Sequence, residues 1–186
     1  MLSVQEMLPD IITEDCEMWL KSIGFYDKPA SIHHHGTNNG DLYLHCVEVA
    51  RALCGLTEKL GLIWQRKESP MLVGLLHDVC KCDDYISDTH YSSTKITDYI
   101  STGWEDDHKI WKYNESKTMG GHGDKSVIML SGHIQLTEEE MYCIRFHMGA
   151  FTDKEEWKYY SKAVNKYPNV LYTHTADMIA SQINNI

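Results

Sequence analysis

Eleven histidines are spread over 186 residues, and several stand where imidazole is awkward to bury. His45 lies inside LYLHCVEVARAL, a run whose apolar residues recur every three or four positions. His77 and Asp78 interrupt the nearly continuous apolar stretch MLVGLLHDVCK, and Asp177 interrupts VLYTHTADMIASQI, three residues after His174. A carboxylate in an apolar helix is costly unless it is paired or bound to a cation. Taken singly, each residue has a simpler reading. One helical histidine is more often a hydrogen-bonded core residue, and one buried aspartate can cap a helix or pair with arginine. Two such carboxylates together with histidines point instead to helices that converge on a metal. Imidazole and carboxylate suit Fe, Mn, Co, Ni or Zn better than calcium, with Mg also admitted. Such a metal lowers the pKa of bound water and supplies hydroxide at neutral pH.

Helices must position these groups. Residues 10–22 place Ile11, Ile12, Cys16, Trp19 and Leu20 at helical spacing, with Gly24 as the stop. Asp41 to about Leu62 reads as a long amphipathic helix with Leu42, Cys46, Val49, Leu53, Leu56 and Leu60 as its buried stripe. Pro70 fits the first turn of a central helix that carries His77 and Asp78. Neighbours in a helix point roughly 100° apart. Both can reach metal only if the cation sits across the helix surface or Asp78 bridges two cations. Residues 83–121 break the pattern and read as a long loop or small hairpin, a candidate lid. Helices resume over about 123–131, from a capping box at Thr137 and Glu140 through Met148, near 153–165, and after Pro168. No strand-like alternation is long enough to build a sheet and no internal repeat is found, so the expected class is all-α.

In this order the residues resemble the HD superfamily of metal-dependent phosphohydrolases. Its signature is a His, an adjacent His-Asp and a distant Asp, all on helices. LYLHCVEVARAL supplies His45, GLLHDVCK the namesake His77-Asp78, and ADMIAS supplies Asp177, so that the resemblance runs over residues 30–182. Some HD families add two histidines for a second metal, and His122 in GGHGDKSV and His147 in IRFHMGAF fit that expanded pattern. The resemblance implies one HD-domain helical bundle over residues 1–186. It implies one or two divalent transition metals on His45, His77, Asp78, His122, His147 and Asp177, with Asp78 and Lys81 catalytic. Lys81 lies four residues after His77 and three after Asp78, on their helix face, where it would contact substrate phosphate or orient a ligand. Lys125, near a helix N-terminus, could do similar work. His33, His34 and His35 precede the His45 helix, where related sequences place a loop at the pocket mouth, and His35 is taken as a substrate contact.

The implied function is hydrolysis of a nucleotide-like phosphoester or phosphoanhydride by metal-activated water. Two alternatives stay open. One is an HD-type di-iron oxygenase, and the other is a module that binds a nucleotide without turning it over. A net charge of -10 gives no general attraction to nucleic acid, so a small molecule is the expected partner. A homo-oligomer is left open. The acidic N-terminus MLSVQEMLPD lacks the apolar run of a signal peptide, no stretch approaches a membrane span, and six cysteines form no disulfide framework. A cytoplasmic location is therefore expected. Cys80 and Cys82 form a C-x-C pair, but no second pair is spaced to complete a zinc ribbon.

Overall fold

The structure, a computed structural model, describes residues 1–32, 38–88 and 110–184. Helices dominate, in keeping with the all-α expectation. They are α1 (Val4–Met7), α2 (Glu14–Ser22), α3 (Asp41–Leu60), α4 (Ser69–Leu76), α5 (Lys81–Asp84), α6 (His122–Ser131), α7 (Glu138–Arg145), α8 (Trp157–Lys166) and α9 (Asn169–Met178). A π-helical turn, Ile179–Ile183, continues α9. Strands β1 (Tyr85–Asp88) and β2 (Ile110–Tyr113) pair antiparallel between α5 and α6, with Tyr85 opposite Tyr113 and Ser87 opposite Trp111. Most of the buried apolar residues form one cluster from Val4 in α1 to Ala180 in the π turn.

Helix α3 packs against both α4 and α9. Leu42, Cys46, Val49 and Leu53 are fully buried, because steps of three and four fall on one side of a 3.6-residue turn. The stripe does not reach Leu60, which is exposed with the rest of the last turn of α3. The α3–α4 contact is so close that a side chain at Gly74 would place its Cβ 2.3 Å from Ala50 Cα. A residue without Cβ is what allows α3, which carries His45, to touch α4, which leads into His77.

The central helix expected through Lys81 ends at Leu76. Beyond it the N–H groups of Val79, Lys81, Cys82 and Asp83 bond three residues back, to Leu76, Asp78, Val79 and Cys80. The chain thus continues as tight turns, and His77 and Asp78 occupy the break. Apolar periodicity could not show this, because both windings keep the same residues inside.

The 83–121 segment is a hairpin at its base. Asn114 N–H donates to Asp84 O at 2.9 Å. The Trp111 indole N–H donates to Asn39 Oδ1 at 2.9 Å, and Lys28 Nζ sits 4.9 Å above the Trp111 ring. The tip, residues 89–109, with Trp104 and most of the expected lid, lies outside the described residues.

Helices α6 and α7 pack against each other, the start of α6 beside the end of α7. A Cβ on Gly123 would lie 2.1 Å from Arg145 O, so the first turn of α6 abuts the last turn of α7. The other end of α7 is capped as the sequence predicts, by Thr137 and Glu140 reciprocally. Glu140 is fully buried and also accepts from Arg66 Nε at 3.0 Å and Ser69 Oγ at 2.7 Å. One carboxylate therefore ties the start of α4 to the start of α7. No described helix is long and apolar enough to cross a membrane.

Candidate metal centre

The elements above bring six predicted residues to one place. His45 comes from α3 and Asp177 from α9. His77 and Asp78 follow α4, His147 follows α7, and His122 opens α6. The ring centroids of His45 and His77 lie 5.4 Å apart, those of His77 and His147 4.8 Å, and those of His122 and His147 5.0 Å. His45, His77 and Asp78 offer ligand atoms within 4.8 Å of one another, as do Asp78, His122 and His147, and His77, His147 and Asp177.

Asp78 sits between two sets of groups. Its Oδ2 lies 3.8 Å from His45 Nε2, 3.5 Å from His77 Nε2 and 2.6 Å from Lys81 Nζ. Its Oδ1 lies 2.7 Å from His122 Nε2 and 3.4 Å from His147 Nε2. Asp177 Oδ1 completes the first set, 3.2 Å from His45 Nε2. The carboxylate thus turns one oxygen to each histidine pair. His77 keeps helical backbone angles, φ -57° and ψ -33°, so the two side chains still diverge, and Asp78 meets His77 with one oxygen while the other faces His122 and His147.

Helix ends also fix the imidazoles. The last four carbonyls of a helix have no partner in the helix. His77 Nδ1 lies 2.9 Å from Gly74 O, in the last turn of α4, and His147 Nδ1 lies 2.7 Å from Ile144 O, in the last turn of α7. A carbonyl only accepts, so Nδ1 carries the proton and each Nε2 presents a lone pair. Both Nε2 atoms are buried with no hydrogen bond, and so is Asp78 Oδ1, whose approach to His122 is close but not aligned as a hydrogen bond. Such atoms cost about 1–3 kcal/mol each when buried unsatisfied. A cation bound among them would satisfy all three at once, and the donor set suits a transition metal.

The electrostatics favour deprotonated ligands. Burial, opposed by Asp78, pushes the His77 imidazole down to about 4. Burial alone would raise the Asp78 carboxyl, but Lys81, His77 and His122 hold it well below the ordinary carboxylate range. Asp177 feels the same burial and is brought to about 2, first by the His45 hydrogen bond and then by His77 and His147. Burial opposes the charge on Lys81, yet Asp78 beside it raises its pKa above that of free lysine.

A cavity of about 360 Å³ opens over the cluster. Its lining combines the polar His45, Asp78, Lys81, His122, His147 and Asp177 with the apolar Met148, Phe151 and Met178. His174, Ser181 and Gln182 complete the lining. His174, given no role by the sequence reading, has its Nδ1 2.8 Å from His147 O. Its spacing of three from Asp177 was the available signal, since that places both on one helix face. A cavity of about 390 Å³ between α7 and α8 contains none of the predicted site residues.

Lys125 is not brought to this cavity. It is buried at the foot of the hairpin, 2.7 Å from Asp83 Oδ2 and 3.0 Å from Asp84 Oδ1. Two carboxylates occupy the ammonium that was expected to meet substrate phosphate. His33, His34 and His35 lie outside the described residues. Comparison with known protein families, with curated proteins and with solved structures finds no match to this chain. The geometry itself establishes a mostly helical protein whose buried histidine and aspartate groups can hold a metal ion.

Proposed function

We propose that this protein is a metal-dependent phosphohydrolase of the HD-domain type, acting on a nucleotide-like phosphoester or phosphoanhydride. One observation carries the reading. The residues in the order His45, His77-Asp78, His122, His147, Asp177 converge on one cluster, all of them but the fully buried His77 line a cavity, and the Nε2 atoms of His77 and His147 are left without hydrogen bonds. His45, His77, Asp78 and Asp177 would hold one divalent cation. Asp78, His122 and His147 would hold a second. Bound cations supply Lewis acidity and a water of lowered pKa.

The protein's own groups do the rest. Asp78 places an oxygen toward each histidine pair and so serves both positions. Lys81 is held on Asp78 and faces the cavity, where its ammonium can offset charge on a phosphoryl oxygen. Among the described residues it is the cavity's only lysine or arginine. Met148, Phe151 and Met178 offer an apolar wall for the organic part of the substrate. The backbone caps on His77 and His147 keep both rings oriented through the reaction.

The test is a panel of nucleoside mono-, di- and triphosphates and cyclic nucleotides, assayed for phosphate release or ester cleavage with Mn, Co or Mg. Hydrolysis that is lost in Asp78→Ala is expected. A metal-loaded protein that cleaves none of them contradicts the proposal. Substrate-dependent oxygen uptake by the iron-loaded protein would move the assignment to an oxygenase.

A further inference from the structure

Two histidines of the cluster, His77 and His147, have a backbone carbonyl beside Nδ1, and His122 differs from them in kind. Those two stand after the C-terminal ends of helices, where unpartnered carbonyls are at hand. His122 is the first residue of α6. The unpartnered backbone groups at that end are N–H donors, which cannot accept from an imidazole N–H. Its Nδ1 instead meets a side chain, Cys80 Sγ, at 3.2 Å. Cys80 is fully buried, and its backbone N–H donates to Ser126 Oγ at 3.2 Å, one turn along the same helix. The residue therefore fastens the His77–Cys80 turn to α6 at two points.

Cys80, Asp84 and His122 also lie close enough to hold a cation together. That position is filled in another way. Asp84 Oδ1 is 2.9 Å from Lys117 Nζ and 3.0 Å from Lys125 Nζ, so two ammonium groups already neutralise it. The sulfur is left with His122 as its functional neighbour.

We infer that Cys80 is the positioning residue for His122, and that it sets the affinity of the second cation position, formed by Asp78, His122 and His147. The inference rests on the reading that the cluster holds metal. When Nε2 of a neutral imidazole is given to a cation, the ring proton must be on Nδ1. Sulfur then acts as the acceptor that fixes the ring plane. A thioether or thiol sulfur accepts more weakly than a carbonyl oxygen. His122 is also the most open of the four histidines, with 29% of its side chain exposed against 0% for His77. The second position is consequently the weaker of the two, and its occupancy depends on an acceptor that is not part of the backbone.

The experiment is titration of the chelator-stripped full chain with Mn²⁺ and Co²⁺, comparing wild type, Cys80→Ala and Cys80→Ser, with far-UV circular dichroism and urea midpoints for each. Loss of an outer partner of a metal-binding histidine typically weakens binding about 10–100-fold. Cys80→Ala should weaken the second equivalent by that factor and leave the first within about twofold of wild type. Cys80→Ser, whose hydroxyl oxygen can accept the same N–H, should recover part of the loss. Wild-type binding of both equivalents by Cys80→Ala overturns the inference, and so does equal weakening in the Ala and Ser variants. Weakening of both equivalents together would show that Cys80 acts on the fold and overturns it as well. If wild type binds no cation, the metal reading itself fails and this inference falls with it. If wild type binds two and Cys80→Ala does the same, only the inference falls.

Discussion

Acidification should destabilise the metal-free protein over a window set by His77. Burial brings this imidazole from 6.5 to about 4, so the folded state takes up its proton less readily than the unfolded chain. The resulting stabilisation is complete above pH 6.5, declines as the unfolded chain protonates, and is gone once the pH has fallen to about 4. At about 1.4 kcal/mol per tenfold change in proton affinity, the loss is about 3 kcal/mol. That is a large part of the 5–15 kcal/mol typical of a small protein. Asp177 acts later. Its contribution is present above 3.8 and is lost as the pH falls toward about 2. Urea denaturation of wild type and His77→Leu at pH 7, 5.5 and 4 would measure the effect. The wild type should lose about 3 kcal/mol more than the variant between the extremes. Excess Mn²⁺ should delay the loss in wild type, since a cation on Nε2 competes with the proton. Parallel pH profiles for the two proteins would refute the reasoning, because they would mean that His77 is not held neutral by burial.

Other perturbations separate fold from site. Glu140→Ala removes a buried carboxylate that serves Arg66, Ser69 and the α7 cap, and should lower stability by about 3 kcal/mol in urea melts. Gly123→Ala puts a Cβ 2.1 Å from Arg145 O. It should part α6 from α7, cost about 1–3 kcal/mol, and lower metal stoichiometry because His122 leaves His147. Lys125→Met should speed limited proteolysis at the hairpin foot, where Asp83 loses its cation and Asp84 keeps only Lys117, with bound metal unchanged. A selective loss of metal in that variant would show that Lys125 serves the cavity after all.

Much of the centre was legible in the sequence because its residues contradict their surroundings. His45, His77, Asp78 and Asp177 are polar groups in apolar helical runs, and the resemblance of their order to the expanded HD pattern suggested His122 and His147. The break after Leu76 was not legible, since an apolar stretch reads alike in an α-helix and in tighter turns. Lys125 was misplaced because Asp83 and Asp84, 42 and 41 residues away in sequence, claim its ammonium through the hairpin. Cys80 was weighed only as a thiolate ligand, and its contact with His122 depends on how the turn lies against α6. Helix α1 was missed although Ser3 and Glu6 form a capping box, a pattern visible in the sequence. Hydropathy also extended the α3 stripe to Leu60, but whether a terminal turn is covered depends on neighbours that periodicity does not describe.

Elemental analysis of the purified protein after loading with Mn²⁺ or Co²⁺ and gel filtration tests the central claim most directly. The account predicts up to two equivalents per chain in wild type, one in His122→Ala and in His147→Ala, and none in Asp78→Ala, whose carboxylate faces both histidine pairs. Wild type that retains no more metal than Asp78→Ala would contradict it.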